Sequence, residues 1–164
     1  MMIALCSRLE AQELVKTDWG TFSFERDLGA MSGVVAGPAD SVFRALRGVF
    51  AGFGLPARDE DRANFSFKAS RFKVMRKLGK QPVSHFMSCG EGIVGPNADS
   101  WTVFLNYAVQ LMPVPGNKAR LQMALSAEAI DIPNGGSVRL PCATTGQLEY
   151  EVLRQLREAF PGTK

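Results

Sequence analysis

Residues 101–129, WTVFLNYAVQLMPVPGNKARLQMALSAEA, decide the fold. In the first half Trp101, Val103, Leu105, Tyr107, Val109 and Leu111 share one face. Thr102, Asn106 and Gln110 share the other, with Phe104 as an exception. Residues 113–117 hold Pro113, Pro115 and Gly116 and read as a turn. After the turn, Leu121, Met123, Leu125, Ala127 and Ala129 alternate with Arg120, Gln122, Ser126 and Glu128. A period of two on both sides of a short turn predicts an antiparallel hairpin, one face buried and one wet.

An apolar sheet face needs a cover, and two segments have the right period to supply it. Val42, Phe43, Leu46, Val49, Phe50 and Phe53 recur at helical spacing. Pro38 suits the first turn of that helix, Asp40 lies near the positive end of its dipole, and Gly54 with Pro56 ends it. Arg44 and Arg47 fall on its other side. The chain closes with a helix of about fourteen residues, striped by Leu148, Val152, Leu153, Leu156 and Phe160 and capped by Thr144 or Thr145. Pro161-Gly162 ends it.

Further strands are expected at 31–36, at 64–68 with Phe65 and Phe67 on one face, at 83–89 and at 138–140. Residues 69–80 show no clear period. The order is strand, helix, several antiparallel strands, helix. That pattern predicts an α+β fold in a single two-layer domain, an antiparallel sheet packed against two helices. It resembles the helix-grip arrangement. Residues 1–11 read as the remnant of a signal peptide, 12–30 (with Trp19, Phe22 and Phe24) as an N-terminal arm or strand, and 31–164 as the domain.

Composition narrows the function. The chain has 164 residues, 46% of them hydrophobic, enough for one self-sufficient core. No apolar run approaches the ~20 residues of a membrane-spanning helix. A net charge of +3 is too small to mark a nucleic-acid binder, and no nucleic-acid partner is expected. The lone histidine, His85, excludes any multi-histidine metal site made within one chain. No metal and no cofactor are expected.

The cysteines are Cys6, Cys89 and Cys142. The opening MMIALCSRLEAQE has a short apolar stretch and a small residue, Ala11, before Gln12, like the back end of a secretory leader. Loss of a leader holding Cys6 would leave an even pair, as suits an oxidising compartment. A Cys89–Cys142 bridge would close about fifty residues and contribute about 4 kcal/mol by chain entropy. Two readings compete with it: buried thiols in a cytoplasmic protein, and a lipidated Cys6.

Motifs with catalytic potential are weak. Gly90-Glu91-Gly92-Ile93-Val94-Gly95 spells GxGxxG, but Pro96-Asn97 follows instead of a helix, and no acid stands between Asp99 and Glu128. These glycines read as a loop between strands. His85 and Cys89 on one strand would be about 13 Å apart, too far to cooperate. A Cys142–His85 pair made by folding is the remaining nucleophile candidate. Asp59, Glu60 and Asp61 read as a solvated turn, and Glu149 and Glu151 as the wet side of a helix. The basic run Lys68, Arg71, Lys73, Arg76, Lys77 and Lys80 contains no acid. It reads as a solvated loop or as a contact for a partner or an anionic surface.

The strings VVAGPADSVFRALRGVFAGFGLP, CGEGIVGPNAD and LPCATTGQLE together resemble a family of small, uncharacterised exported bacterial domains. That resemblance implies two paired cysteines and an envelope location without an assigned enzyme activity. The expected function is a non-catalytic exported interaction module, an accessory or assembly subunit of a larger envelope or membrane complex, an energy-transducing one being one form. The expected location is periplasmic or extracytoplasmic, with cytoplasmic as the alternative. Competing readings are a binder of small apolar ligands, lined by Phe50, Phe53, Trp101, Tyr107 and Phe160, and an enzyme built on Cys142 and His85.

Overall fold

A computed structural model of the chain describes residues 12–17, 20–25 and 31–162. The leader reading at 1–11 with Cys6, the residue Trp19 and the remainder of the arm at 26–30 lie outside the described residues.

Strands β1 (Gln12–Thr17) and β2 (Gly20–Glu25) pair with each other as a separate antiparallel ribbon. Then come β3 (Met31–Ala36), α1 (Ala39–Gly52) and β4 (Ser66–Met75). Short segments follow: β5 (Lys77–Leu78), β6 (Gln81–Pro82), a 3-10 turn at Val83–His85 and β7 (Met87–Ser88). A small hairpin, β8 (Glu91–Gly92) and β9 (Gly95–Pro96), leads into the one-turn helix α2 (Asn97–Ser100). The long hairpin is β10 (Thr102–Val114) and β11 (Lys118–Ile130), followed by β12 (Arg139–Thr144) and α3 (Gln147–Ala159). The fold is α+β, with three helices and strand pairs that are antiparallel throughout the described residues.

The main sheet runs β6-β5-β4-β10-β11-β12-β7. β11 carries two neighbours along its outer edge: β3 beside Lys118–Met123, and β12 beside Ala127–Ile130. Every apolar position of the 101–129 alternation faces the core. Val103, Leu105, Tyr107, Val109, Leu111, Leu121, Met123, Ala127 and Ala129 are buried, and Trp101 and Leu125 pack at its margin.

β4 explains why residues 69–80 resisted reading. Phe72 stands opposite Leu105 and Ala69 opposite Tyr107, so Ser70 and Arg71 together face the single residue Asn106. This is a β-bulge, and it reverses the alternation. Phe67 and Ala69 face in before it, Phe72 and Val74 after it. Arg71 takes the left-handed conformation, φ 51°, and its N–H donates to Asn106 Oδ1 at 2.8 Å. One strand therefore shows two parities, and neither is long enough to recognise alone.

The helices share the core with the sheet's inner side. Val42, Phe43, Leu46 and Phe50 of α1 and Leu148, Val152, Leu153 and Leu156 of α3 are buried there. α1 ends in a Schellman motif: Gly54, φ 76°, donates to Ala51 O, and Leu55 N–H reaches back to Phe50 O at 2.9 Å. α3 packs directly on β3, where a Cβ at Gly33 would lie 2.5 Å from Leu153 Cδ2.

Three expectations need correction. Residues 83–89 form a 3-10 turn and a two-residue strand instead of one strand. α3 is capped by Gly146, φ 79°, and not by a threonine. Thr144 Oγ1 instead accepts from Gly146 N–H and bonds the Glu149 carboxylate at 2.9 Å. Glu149 is consequently buried, at 5% exposure, where a solvated carboxylate was expected. Its place in the first turn puts it at the positive end of the helix dipole.

Candidate functional site

Because the bulge holds the parity of β4 in step with its neighbour, Lys68, Arg71 and Lys73 all project from the outer face of the sheet. Register then brings cations from other strands onto that face. Lys118 and Arg120 occupy outward positions of β11, and Arg139 stands opposite Ile130 at the start of β12. The six are exposed. Among the outward positions of β3, β4, β10, β11 and β12, the single carboxylate is Glu128. This face is thus more positive than the whole chain, whose excess is +3, so the remaining residues are acidic on balance.

Glu128 receives both Arg71 Nη1 and Arg139 Nη1, the latter at 3.2 Å. The Arg71 guanidinium also lies over the Phe104 ring, 4.6 Å from its centroid. Phe104, the exception in the outward pattern, is thereby covered by a cation. Exposed pairs of this kind contribute at most about 1 kcal/mol, so their effect is to order the arginines more than to stabilise the fold. The inner residues of the face (Asn106, Ala108, Gln110, Gln122, Ala124 and Ser126) are short or uncharged. The cations therefore flank a flatter polar strip.

Of the six residues in the basic run, Arg76, Lys77 and Lys80 lie on the turn out of β4 and on the edge segments, all exposed. The run is therefore part strand and part edge. Lys118, Arg120 and Arg139 escaped the sequence reading as members of this face. Alternation places the first two outward, but only strand order shows that they share a face with β4.

Cys89 and Cys142 form a disulfide. β7 and β12 pair with Ala143 opposite Ser88, so the next residues in register are Cys142 and Cys89 themselves. Their Cα atoms are 4.3 Å apart, close to the ~4.5 Å of a non-hydrogen-bonded cross-strand pair. Cys89 is buried. Beside the bridge, Thr145 N–H donates to Phe86 O and its hydroxyl to His85 O at 2.8 Å. Bridge and threonine together fasten the start of α3 to the 83–89 segment. With its sulfur bonded, Cys142 lacks the thiol that a Cys/His reaction needs. His85 is exposed, with its ring packed edge-on against Phe86 at 4.8 Å.

The five aromatics considered for a ligand pocket are dispersed. Phe50 and Tyr107 are fully buried and in mutual contact at 5.5 Å, with Phe67 against both. Burial pushes the Tyr107 phenol up to about 12, with the nearby Arg58 charge opposing, and its hydroxyl donates to Pro56 O. Trp101 is half-buried, and Phe160 packs over Gly37. Phe53 alone of the five lines an open surface groove between the end of α1 and the β4–β5 edge, shared with Phe72, Leu78, Lys77 and Lys80.

The acidic turn is structural in its contacts. Asp61 accepts from the Asn64 side chain and from the N–H groups of Asn64 and Ala63, and these bonds hold its carboxyl below the usual range. Glu60 joins Arg47 to Arg62. The GxGxxG string forms the β8–β9 hairpin, and, against the expectation of no helix there and of two helices in all, α2 (Asn97–Ser100) follows it; at one turn, α2 is too short to present the N-terminus of a dinucleotide-binding helix. Among the described residues no three carboxylate, histidine or cysteine groups cluster as metal ligands, and no helix is long and apolar enough to cross a membrane. Comparisons of the chain with protein-family models, with curated proteins and with solved structures found no match.

Proposed function

We propose that this chain is a non-catalytic, exported interaction module of the kind its sequence resembles, an accessory or assembly subunit docked on a larger envelope complex. The observation that carries the reading is the outer sheet face, where Lys68, Arg71, Lys73, Lys118, Arg120 and Arg139 surround one carboxylate. A predominantly basic surface steers association and favours an acidic partner face. In this reading sheet and helices form two layers, helix-grip-like, with α1 and α3 on the inner side and the outer side left for the partner. The Cys89–Cys142 bridge supports an extracytoplasmic location, since disulfides persist in oxidising compartments.

The test is a charge-neutralised variant, Lys68→Gln with Lys73→Gln and Arg120→Gln, carried by a tagged chain in the source cells. All three side chains are exposed, so the fold is expected to survive. A partner protein recovered from envelope fractions with the wild type and lost with the variant supports the reading. Equal recovery of the same proteins with both contradicts it.

The groove at Phe53 favours a second reading. Phe72 and Leu78 with Lys73, Lys77 and Lys80 would suit an amphiphilic anion such as a fatty acid. Saturable calorimetric binding of a long-chain fatty acid, abolished by Leu78→Glu, would favour this reading over protein docking.

A further inference from the structure

A cavity of about 150 Å³ lies between α1 and the turn that precedes β4. Phe43 from the helix and Phe65 from the turn line it, their ring centroids 5.8 Å apart and edge to face. Phe43 is buried and Phe65 half-buried. Arg44 and Arg47 of α1 and Arg62 of the turn line the same cavity, together with the carboxylates of Asp40 and Glu60. One small space thus joins two aromatic rings to three guanidiniums.

The carboxylates orient the guanidiniums without using up their donors. Arg62 Nε donates to Glu60 Oε1 at 2.7 Å, and Arg44 Nη2 donates to Asp40 Oδ2 at 2.8 Å. Arg47 Nε lies 3.1 Å from Glu60 Oε2, but its N–H is not aligned on that oxygen, and this buried nitrogen has no hydrogen-bond partner. A buried donor left unpaired is an exception in folded proteins. A guanidinium carries five N–H donors, and among the described residues the Nη groups of Arg47 and Arg62 make no hydrogen bond.

The turn that carries Arg62 and Phe65 is held firmly. Asp61 and Ser66 exchange both backbone hydrogen bonds, at 2.8 and 2.9 Å, and Phe65 O accepts from Leu111 N–H at 3.0 Å. Little chain order therefore has to be gained on binding. Three guanidiniums against two carboxylates leave the cavity with one positive charge, which a monoanion neutralises. A dianion such as phosphate would leave it negative. The planar guanidinium fork matches a carboxylate. The ring pair matches a flat apolar body, and a cavity of roughly 150 Å³ holds one benzene ring.

We propose that this cavity binds a small aromatic monocarboxylate, its ring against Phe43 and Phe65 and its carboxylate on the free donors of Arg47 and Arg62. The inference stands apart from the proposed protein docking, because none of these residues belongs to the six cations of the outer sheet face.

The experiment is titration of the purified, disulfide-bonded protein with sodium benzoate at constant ionic strength. NMR follows the arginine Nε–H groups and the backbone amides of residues 60–66. Saturable shifts are expected at both, with a Kd on the order of 1 mM for so small a ligand. Acetate, which lacks the ring, and inorganic phosphate, which carries more charge and no apolar body, should each bind at least about tenfold more weakly. Arg62→Gln should weaken benzoate binding roughly tenfold. Its thermal unfolding should match the wild type, the side chain being 77% exposed. Arg47→Lys keeps the charge and loses the fork, and should weaken binding by about the same factor. Absence of saturation, acetate or phosphate binding as tightly as benzoate, or undiminished binding by either variant would overturn the proposal.

Discussion

Arg71 shows how a single residue can decide what a strand displays. Its left-handed backbone, φ 51°, costs an L-residue about 1–2 kcal/mol, yet the conformation lets β4 present Lys68 and Lys73 on one side of the sheet. Arg71→Gly removes that cost along with the cation, whereas Arg71→Val removes the cation and keeps the cost. The valine variant should be the less stable of the two by about 1–2 kcal/mol in urea unfolding. Tyr107 gives a second test at this scale. Its pKa is pushed up to about 12 by burial, so the fold favours the neutral phenol. That contribution is complete below about pH 10 and is lost as the pH rises through about 12. The unfolding free energy of the wild type should fall more steeply across this window than that of Tyr107→Phe. Parallel slopes would show that the phenol is not buried as described.

At the scale of elements, the disulfide joins β7 to β12 and thereby holds the start of α3. Closing a loop with a sequence separation of 53 contributes about 4 kcal/mol by chain entropy. Replacing both cysteines, Cys89→Ala with Cys142→Ala, should lower stability by about that amount. It should also speed amide exchange in the first turn of α3 more than in β10 or β11. Uniform acceleration would mean that the bridge acts on the unfolded chain alone. The same elements show what could be read from sequence. The 101–129 hairpin was legible because its period of two continues unbroken over both strands. α1 and α3 were legible from their stripes and from Pro38, Gly54 and Pro161. β4 was not, since the bulge splits its inward residues into Phe67 and Ala69, then Phe72 and Val74. The segment 83–89 was opaque because its apolar residues serve a 3-10 turn and a two-residue strand. Half of the basic face was visible as the run at 68–80. Lys118, Arg120 and Arg139 joined it only through strand order, which no local pattern encodes.

For the whole molecule, α1, α3 and the inward strand residues share one core, while the outward strand positions bear six cations and Glu128. An electrostatic docking surface implies strong salt dependence, since exposed charges are screened beyond about 10 Å at 0.1 M salt. Association with a partner should therefore weaken at high salt mainly through a slower on-rate, measurable by surface-plasmon kinetics once the partner is in hand. The central claim, a docked accessory module, is tested most directly by native electrophoresis of gently solubilised envelopes from the source organism, with this chain followed by antibody. The expected result is co-migration with a large membrane complex, lost when Lys68, Lys73 and Arg120 are changed to glutamine. Migration of the wild-type chain as a solitary monomer would contradict it.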